Sequence, residues 1–230
     1  MELTPRQINI LESIIKEYID KASPIGSKFL AKRYDFGIKP AALRIEMQKL
    51  TDQGYLDQPH ISAGRIPTSK GYRFFVGNLE ANNSIENCFS DCFEGIEDNF
   101  RLIREITKRL AEATSSLALA YILDEDLFWR DGWKDVSDNP EFKISSFWKE
   151  FINEAEFLEE DFKSLKEDEL KVYIGPGKLH SDNFSLIVSK SQFLNEEQGY
   201  LAILGPKRMA YDKNISLINS LIRILDEKGN

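Results

Sequence analysis

The chain has 230 residues, 42% of them hydrophobic and 30% charged, which suits one large domain or two modest ones with a real core. It lacks a run of about 18 or more uncharged apolar residues, so we expect no membrane-spanning helix. Its start, MELTPRQINIL, lacks the features of a signal peptide. The two cysteines, Cys88 and Cys92, cannot build a disulfide framework, so a reducing, cytoplasmic location is expected.

The charge is unevenly distributed along the chain. Residues 1–77 carry a formal net charge of +4, whereas residues 78–230 carry −12, within a total of −8. A basic head on an acidic body favours binding of nucleic acid by the head alone. Ordinary variation between segments is the alternative explanation.

Residues 4–21 are predicted to form a first helix. Thr4 can cap it, Pro5 suits its first position, and Gln7 completes a capping box. Its apolar residues recur at helical spacing and give it a core-facing side: Ile8, Leu11, Ile14, Ile15, Tyr18 and Ile19.

Two further helices follow after a break at residues 23–26. Ser27 is predicted to cap a short second helix, whose inward-facing residues are Phe29, Leu30 and Tyr34. Residues 34–37 form a turn, with Gly37 in a left-handed conformation. The third helix then runs from residues 39–40 to about residue 53, and Gly54 ends it.

The third helix has two different faces. Leu43, Met47 and Leu50 share one face at 100° per residue and should be buried. The outward face carries Ala41, Arg44, Ile45, Gln48 and Lys49. In a helix-turn-helix, Arg44 can bind guanine or a phosphate, Gln48 can read adenine, and Ile45 can contact a thymine methyl. The alternative is an ordinary amphipathic surface helix.

A two-stranded ribbon is predicted next. Residues 55–58 form one strand, residues 60–64 the tip, and residues 65–66 the return strand, ended by Pro67. His60 and Arg65 are placed to reach phosphates or the minor groove, although a lone loop histidine is more often simply solvated.

Thr68 or Ser69 should cap a fourth helix, whose Lys70 and Arg73 can add phosphate contacts. Ser27, Lys28 and Lys39, at the starts of the second and third helices, complete the predicted DNA-binding set. Residues 1–78 are therefore interpreted as a winged helix-turn-helix domain.

Residues 78–84 are small and polar and are interpreted as a linker to a second domain, residues 85–230. Residues 85–123 are predicted to form a long helical region, although residues 118–123 can instead be a buried strand. We expect residues 124–140 to be irregular and anchored by tryptophans, and residues 141–169 to be an acidic helix with solvated carboxylates. Strands at 170–174, 183–189 and 199–205 and a helix at 211–226 complete an α+β, sensor-like body.

Enzymatic interpretations have little support. The stretch 175–178, Gly-Pro-Gly-Lys, lacks the spacing and the Ser or Thr of a phosphate-binding loop and is better explained as a turn that ends a strand. The two cysteines have no nearby histidine, and His60 and His180 are too scattered for a metal site or a catalytic triad. We therefore expect no enzymatic activity, no cofactor and no metal.

Three stretches resemble the HrcA family of heat-inducible transcription repressors. They are residues 23–34 (SPIGSKFLAKRY), residues 54–74 (GYLDQPHISAGRIPTSKGYRF), and, near the C-terminus, residues 172–175 with 199–211. The ribbon sequence is the most specific of the three, and the C-terminal stretch supports it independently.

The resemblance implies a winged-helix head, a GAF-like α+β regulatory and dimerisation domain, and a homodimer. The implied target is duplex DNA carrying a CIRCE-type inverted repeat upstream of the groE and dnaK chaperone operons, with a GroEL-type chaperonin as corepressor. The chain departs from the family by lacking an inserted dimerisation domain after Leu123. It also has Lys39 in place of a capping hydroxyl and Ile45 in place of an asparagine, while Arg44 is retained. The alternative function is a winged-helix regulator whose GAF-like domain senses a small molecule.

Overall fold

The computed structural model describes residues 3–79, 89–93, 95–96 and 98–228, and the chain divides into two compact units, Met1–Leu79 and Glu80–Asn230. Most of the predicted linker at 78–84 lies outside the described residues, as does Cys88. Cys92 is buried. No helix in the described part of the chain is long and apolar enough to cross a membrane.

The first unit begins with helix α1, Pro5–Lys21, at the predicted position. The Thr4 side chain accepts a hydrogen bond from the Gln7 backbone, and the Gln7 side chain accepts one from the Thr4 backbone, so the capping box is present. The buried apolar face consists of Ile10, Leu11, Ile14 and Ile15, whereas Ile8, Tyr18 and Ile19 are half-buried.

Helices α2, Ser27–Arg33, and α3, Pro40–Asp52, follow. The predicted cap at Ser27 is wrong: Gly26 is the capping residue, and Ser27 is the first helical residue. Of the three residues expected to face inward, Leu30 is buried and Phe29 and Tyr34 are half-buried. Gly37 has a φ of 66°, the left-handed conformation expected for this turn.

The predicted ribbon is present but short. Strands β1, Leu56–Asp57, and β2, Ile66–Pro67, pair antiparallel. The segment between α1 and α2 pairs with the ribbon at one position, where the backbones of Ile25 and Arg65 exchange hydrogen bonds of 2.9 and 2.8 Å. Helix α4, Ser69–Gly77, then begins after Thr68, whose hydroxyl accepts a hydrogen bond from the backbone of Gly71.

A buried carboxylate ties α1 to α2. Glu17 accepts a hydrogen bond from the Tyr34 hydroxyl at 2.9 Å, and the side-chain nitrogens of Arg33 and Lys21 lie 2.5 and 3.2 Å from it. Burial alone raises the pKa of Glu17, but Tyr34, Lys21 and Arg33 together outweigh burial and hold the pKa below its usual 4.5. The ionised form of Glu17 is therefore part of the folded structure of this unit.

The described residues of the second unit form four helices and five strands. Their order is α5 Asn99–Thr114, β3 Leu117–Ile122, β4 Leu127–Asp131, α6 Trp133–Ser137, α7 Ser145–Lys163, β5 Lys171–Ile174, β6 Phe184–Gln192, β7 Gln198–Pro206 and α8 Tyr211–Lys228. Short 3₁₀ turns lie at Ser90–Phe93, Pro140–Lys143 and Leu194–Glu196. The strands form one antiparallel sheet in the order β4-β3-β7-β6-β5. This unit is therefore α+β.

Three expectations for the second unit need correction. The long helical region at 85–123 is wrong in the described part: α5 ends at Thr114, and the strand alternative holds, as β3. Residues 124–140 are not irregular, because Leu127–Asp131 pairs with β3 as a hairpin and α6 follows. The acidic helix ends at Lys163 rather than at 169. β4 is defined by its pairing with β3, because its five residues are all half-buried and show no alternation of buried and exposed side chains.

Aromatic side chains fill one face of the sheet. Helix α7 buries Phe151, Ala155, Leu158 and Phe162 at steps of three and four residues. The ring centroid of Phe151 lies 5.2 Å from that of Phe184 on β6. Helices α5 and α8 contact β3, β4 and β6, and the Tyr211 hydroxyl at the start of α8 lies 2.7 Å from Ser185 Oγ. The sheet is thus covered by helices on both faces.

The contact between α4 and the ribbon predicts that Gly71→Ala destabilises the first unit. A Cβ at Gly71 would lie 2.3 Å from the backbone oxygen of Tyr55, whereas a Cβ at Gly77, in the same helix, meets nothing within 4 Å. Gly71→Ala should therefore lower the free energy of unfolding by about 1–3 kcal/mol, and Gly77→Ala should leave it unchanged or slightly raised.

Urea unfolding followed by circular dichroism measures this difference. Tryptophan fluorescence is an internal control, because all three tryptophans, Trp129, Trp133 and Trp148, lie in the second unit. Equal midpoints for the two variants would contradict the close approach of α4 to Tyr55.

The environment of Glu17 predicts a pH-dependent loss of stability. A carboxylate with a lowered folded-state pKa contributes stability above its unfolded-state pKa and loses the contribution as the pH falls through the folded-state value. Glu17→Gln should thus cost about 1–3 kcal/mol at pH 7, with the difference from wild type shrinking in acid. Urea unfolding at a series of pH values checks this. A difference that is constant from pH 7 to pH 3 is the contrary result.

Candidate nucleic-acid interface

Helix α3 presents a polar face to solvent. Arg44 and Gln48 are exposed there, as are Ala41 and Lys49, while Leu43, Met47 and Leu50 are buried on the opposite side as expected. Ile45 is 59% exposed, which is unusual for an apolar side chain next to polar neighbours. The outward residues of α3 therefore form a continuous accessible surface.

A cleft of about 310 Å³ opens between α2, α3 and the ribbon tip. Ser27 and Lys28 line it from α2, Arg44 lines it from α3, and Ile61 and Ser62 line it from the tip. The cleft thus brings together side chains that lie up to 35 positions apart in the sequence. We refer to it below as the α3–tip cleft.

Arg65 is directed into the protein rather than outward from the ribbon. It is only 6% exposed, and it donates from Nε to Thr51 Oγ1 at 2.9 Å and from Nη2 to Gln48 Oε1 at 2.7 Å. Burial lowers the pKa of its guanidinium, the neighbouring charge of Arg44 adds to that effect, and Asp52 and Asp57 oppose it. Arg65 is thus engaged within the first unit, although it also lines the α3–tip cleft, and a contact between Arg65 and a phosphate stays a prediction.

The oxygen and the nitrogen of the Gln48 side-chain amide are both hydrogen-bonded. Its oxygen accepts from Arg65, and its Nε2 donates to Asp52 Oδ1 at 2.8 Å. Reading adenine requires both the oxygen and the amide nitrogen, so Gln48 must exchange these partners before it can contact a base. The pairing of Arg65 with Gln48 joins positions 17 apart, and no local sequence pattern indicates it.

The other predicted site residues are more dispersed. Lys39 is exposed at the start of α3, and His60 is exposed at the ribbon tip. Lys70 donates to the backbone oxygen of Gln53 at 2.8 Å and lies 4.3 Å from the ring centroid of Tyr55, so it also braces the ribbon. Arg73 is exposed on α4, and neither it nor Lys70 lines the α3–tip cleft.

The sequence patterns did not single out two residues of the ribbon, one at its tip and one that supports the tip. Ile61 is 94% exposed. Gln58 holds the tip by donating from Nε2 to the backbone oxygens of Ile61 at 2.9 Å and Ala63 at 3.1 Å. An isoleucine in a loop otherwise made of small and polar residues was the available signal.

The acidic helix of the second unit is not uniformly solvated, contrary to expectation. Glu154 is 2% exposed and accepts hydrogen bonds from the backbone nitrogens of His180 and Ser181 at 3.0 and 3.2 Å. Glu150 accepts from the Ser181 hydroxyl. These carboxylates hold the loop before β6, which indicates a structural role.

The Gly-rich stretch after β5 is a turn, with Gly175 and Gly177 at positive φ. The described residues contain no group of three or more His, Cys, Asp or Glu side chains that can hold a metal ion.

Comparison with protein families matches residues 78–215 to the model described as HrcA protein C terminal domain. Curated relatives named Heat-inducible transcription repressor HrcA include those of Clostridioides difficile, 40% identical over 128 residues, and Natranaerobius thermophilus, 46% identical over 108 residues. The two alignments cover 52% and 47% of this chain and 37% and 29% of the relatives. The chain thus spans about a third of the length of the curated relatives it matches.

The fold also matches a solved structure. A crystal structure of a hypothetical protein at 2.2 Å resolution superposes with a TM-score of 0.82 and covers 99% of both chains, at 19% sequence identity. At this identity the likeness concerns the fold alone.

The inward direction of Arg65 predicts that two arginines of the same region differ in their effect on stability. Arg65→Gln removes the donors to Thr51 and Gln48 and should cost the first unit about 1–3 kcal/mol. Arg44→Gln, at an exposed position, should change stability by less than about 0.5 kcal/mol. Urea unfolding followed by circular dichroism measures both, and an equal loss for the two variants would show that Arg65 is not a structural tie.

Proposed function

The chain belongs to the HrcA family, and we propose on that premise that it represses transcription of heat-shock genes by binding duplex DNA. The name of its curated relatives, heat-inducible transcription repressor, supports the proposal. Because the chain matches only about a third of those relatives' length, the activity of the whole protein is carried over as a proposal. In this proposal it acts in the cytoplasm, as a regulator and not as an enzyme.

The first unit is proposed to be a winged helix-turn-helix. Its element order, three helices followed by a ribbon and a fourth helix, is that of the module, and a short turn joins α2 to α3. The observation that carries the proposal is the exposed face of α3 beside a fixed ribbon. In this arrangement α3 enters the major groove and the ribbon lies along the flanking backbone.

The individual contacts follow from side-chain chemistry. Arg44 is proposed to bind a guanine edge or a phosphate, and Ile45 to contact a thymine methyl. Gln48 can read adenine once it is released by both Arg65 and Asp52. The remaining proposed contacts are to phosphates, from Ser27, Lys28, Lys39, His60, Lys70 and Arg73, with Ala41 allowing close approach of α3.

The distribution of charge supports this assignment. Residues 1–77 carry +4 and the rest of the chain −12, so the protein as a whole is repelled by DNA while its first unit is attracted. This arrangement favours contact through the first unit alone.

The second unit is proposed to be a GAF-like regulatory and dimerisation domain. Its five-stranded antiparallel sheet with helices on both faces supports a GAF-like assignment. A homodimer would place two α3 helices on the two halves of a CIRCE-type inverted repeat. The GroEL-type chaperonin remains the proposed corepressor, on the family resemblance. The alternative of a small-molecule sensor stays a prediction, which a thermal-shift screen with metabolites tests.

Arg44→Ala should weaken binding to the inverted repeat upstream of the organism's chaperonin genes. Loss of one base or phosphate contact should cost about 1–3 kcal/mol, or roughly 5- to 150-fold in Kd. Fluorescence anisotropy at fixed salt measures the affinity, and Lys16→Ala, an exposed lysine of α1 that does not line the α3–tip cleft, is the matched control. If the wild-type protein does not bind the duplex, or binds it with an affinity that does not depend on salt, the proposed function itself is refuted.

A further inference from the structure

We propose that the α3–tip cleft holds one sugar-phosphate strand of the duplex, and that Ile61, on the outer wall of the cleft, enters the flanking minor groove as an apolar wedge. This inference rests on the proposed function. It places the phosphate contacts already proposed for Lys28 and Arg44 in one cleft, adds a residue that responds to the minor groove, and predicts a preference for A·T pairs beside the major-groove contacts.

Ile61 presents a large apolar side chain to solvent from a fixed loop. It is 94% exposed, although isoleucine is among the residue types most often buried. A flexible loop would let such a side chain fold back onto the protein. Here the Gln58 side chain binds the backbone oxygens of Ile61 and Ala63, and the Ala63 nitrogen donates to the His60 oxygen at 2.8 Å. The tip therefore holds Ile61 outward before DNA binds, so little conformational entropy is lost on binding.

The base of the tip is equally constrained. The backbones of Ile25 and Arg65 are paired, and a Cβ at Gly64 would lie 2.4 Å from the backbone carbon of Ile25. Only glycine allows this approach, so the tip is fixed relative to the segment that leads into α2. The width of the α3–tip cleft is set by these contacts.

The walls of the cleft carry positive charge that the described residues do not neutralise. Lys28 and Arg44 both line it, and neither has a carboxylate within 4.0 Å among the described residues. Arg44 also lies close enough to Arg65 to contribute to the lowering of its pKa. Ser27 and Ser62 add hydroxyl donors. A phosphodiester strand, with its regular charge and acceptor oxygens, has the complementary chemistry.

The geometry of B-DNA connects the two walls. With α3 in a major groove about 12 Å wide, the neighbouring element meets the backbone strand that borders it, and the minor groove, about 6 Å wide, lies beyond. One wall of the cleft is α3 and the other is the tip, so a strand seated between them places Ile61 at the minor groove. Isoleucine is one of the side chains that proteins insert between base steps there.

The minor-groove contact is tested with modified DNA and the intact chain. The duplex is the inverted repeat upstream of the organism's chaperonin genes. A second version replaces the flanking adenines by 2,6-diaminopurine, which adds an amino group in the minor groove and leaves the major-groove pattern of A·T intact. Wild type should bind the modified duplex about tenfold more weakly, the order expected for one lost base-level contact.

The variants then assign that loss to Ile61. Ile61→Ser should bind the natural duplex about tenfold more weakly and should not distinguish the two duplexes. Ile61→Leu should retain both the affinity and the discrimination. Ile144→Ser is the matched control, since Ile144 is 60% exposed in the second unit.

The backbone contact has a separate readout in salt. Lys28→Ala should reduce the slope of log affinity against log salt by about 0.9, the value for one phosphate contact. Ile61→Ser should leave the slope unchanged, because an apolar wedge releases no counterions.

Two results overturn the inference while leaving the proposed function standing: wild-type affinity for Ile61→Ser, and an undiminished diaminopurine penalty in that variant. An unchanged salt slope for Lys28→Ala also overturns it, and removes Lys28 from the proposed phosphate contacts without affecting those of α3. The inference is also overturned if sedimentation shows that Ile61→Ser changes only self-association, because the tip would then contact a second copy of the chain instead of DNA. Absence of salt-dependent binding by wild type instead refutes the proposed function.

Discussion

The first unit depends on the burial of one guanidinium. The Arg65 side chain donates to Thr51 and Gln48 of α3, while its backbone pairs with Ile25. A buried charge without partners is strongly unfavourable, so the ribbon and α3 are held in one relative position. The α3–tip cleft depends on that relative position, and the Gln58 hydrogen bonds to the tip then hold Ile61 outward.

The most specific stretch of the ribbon sequence therefore has two kinds of residue with different roles. Arg65 and Gly64 build the scaffold, the first by its hydrogen bonds and the second by allowing backbone contact. Ile61 and Ser62 are presented to the outside. A motif can thus identify a family with high specificity while its charged residue serves the fold, and residues with less distinctive chemistry are the ones left exposed beside it.

The C-terminal stretch that resembles the family has a similar structural role. Arg208 forms a two-pronged contact with Glu141, from Nε at 2.7 Å and Nη2 at 3.2 Å, and joins the segment after β7 to the turn before α7. The buried Tyr211 hydroxyl contacts Ser185 and donates to the Lys207 backbone oxygen. The first contact lies next to Phe142 of the aromatic core and the second lies between α8 and the sheet, so both residues contribute to the architecture of the second unit.

Local patterns in the sequence determined much of this protein. The capping box at Thr4, the start of α3 at Pro40 and the left-handed turn at Gly37 depend on neighbouring residues, and helical spacing was enough to predict the buried face of α3. Tertiary structure decided the rest. The strand Leu127–Asp131 forms because β3 supplies its hydrogen bonds. Glu154 is buried because it accepts hydrogen bonds from the backbone of a distant loop. The direction of the Arg65 side chain is set by its hydrogen bonds to Thr51 and Gln48. Such partners lie many residues away, and local sequence patterns cannot show which distant side chains are brought into contact by folding.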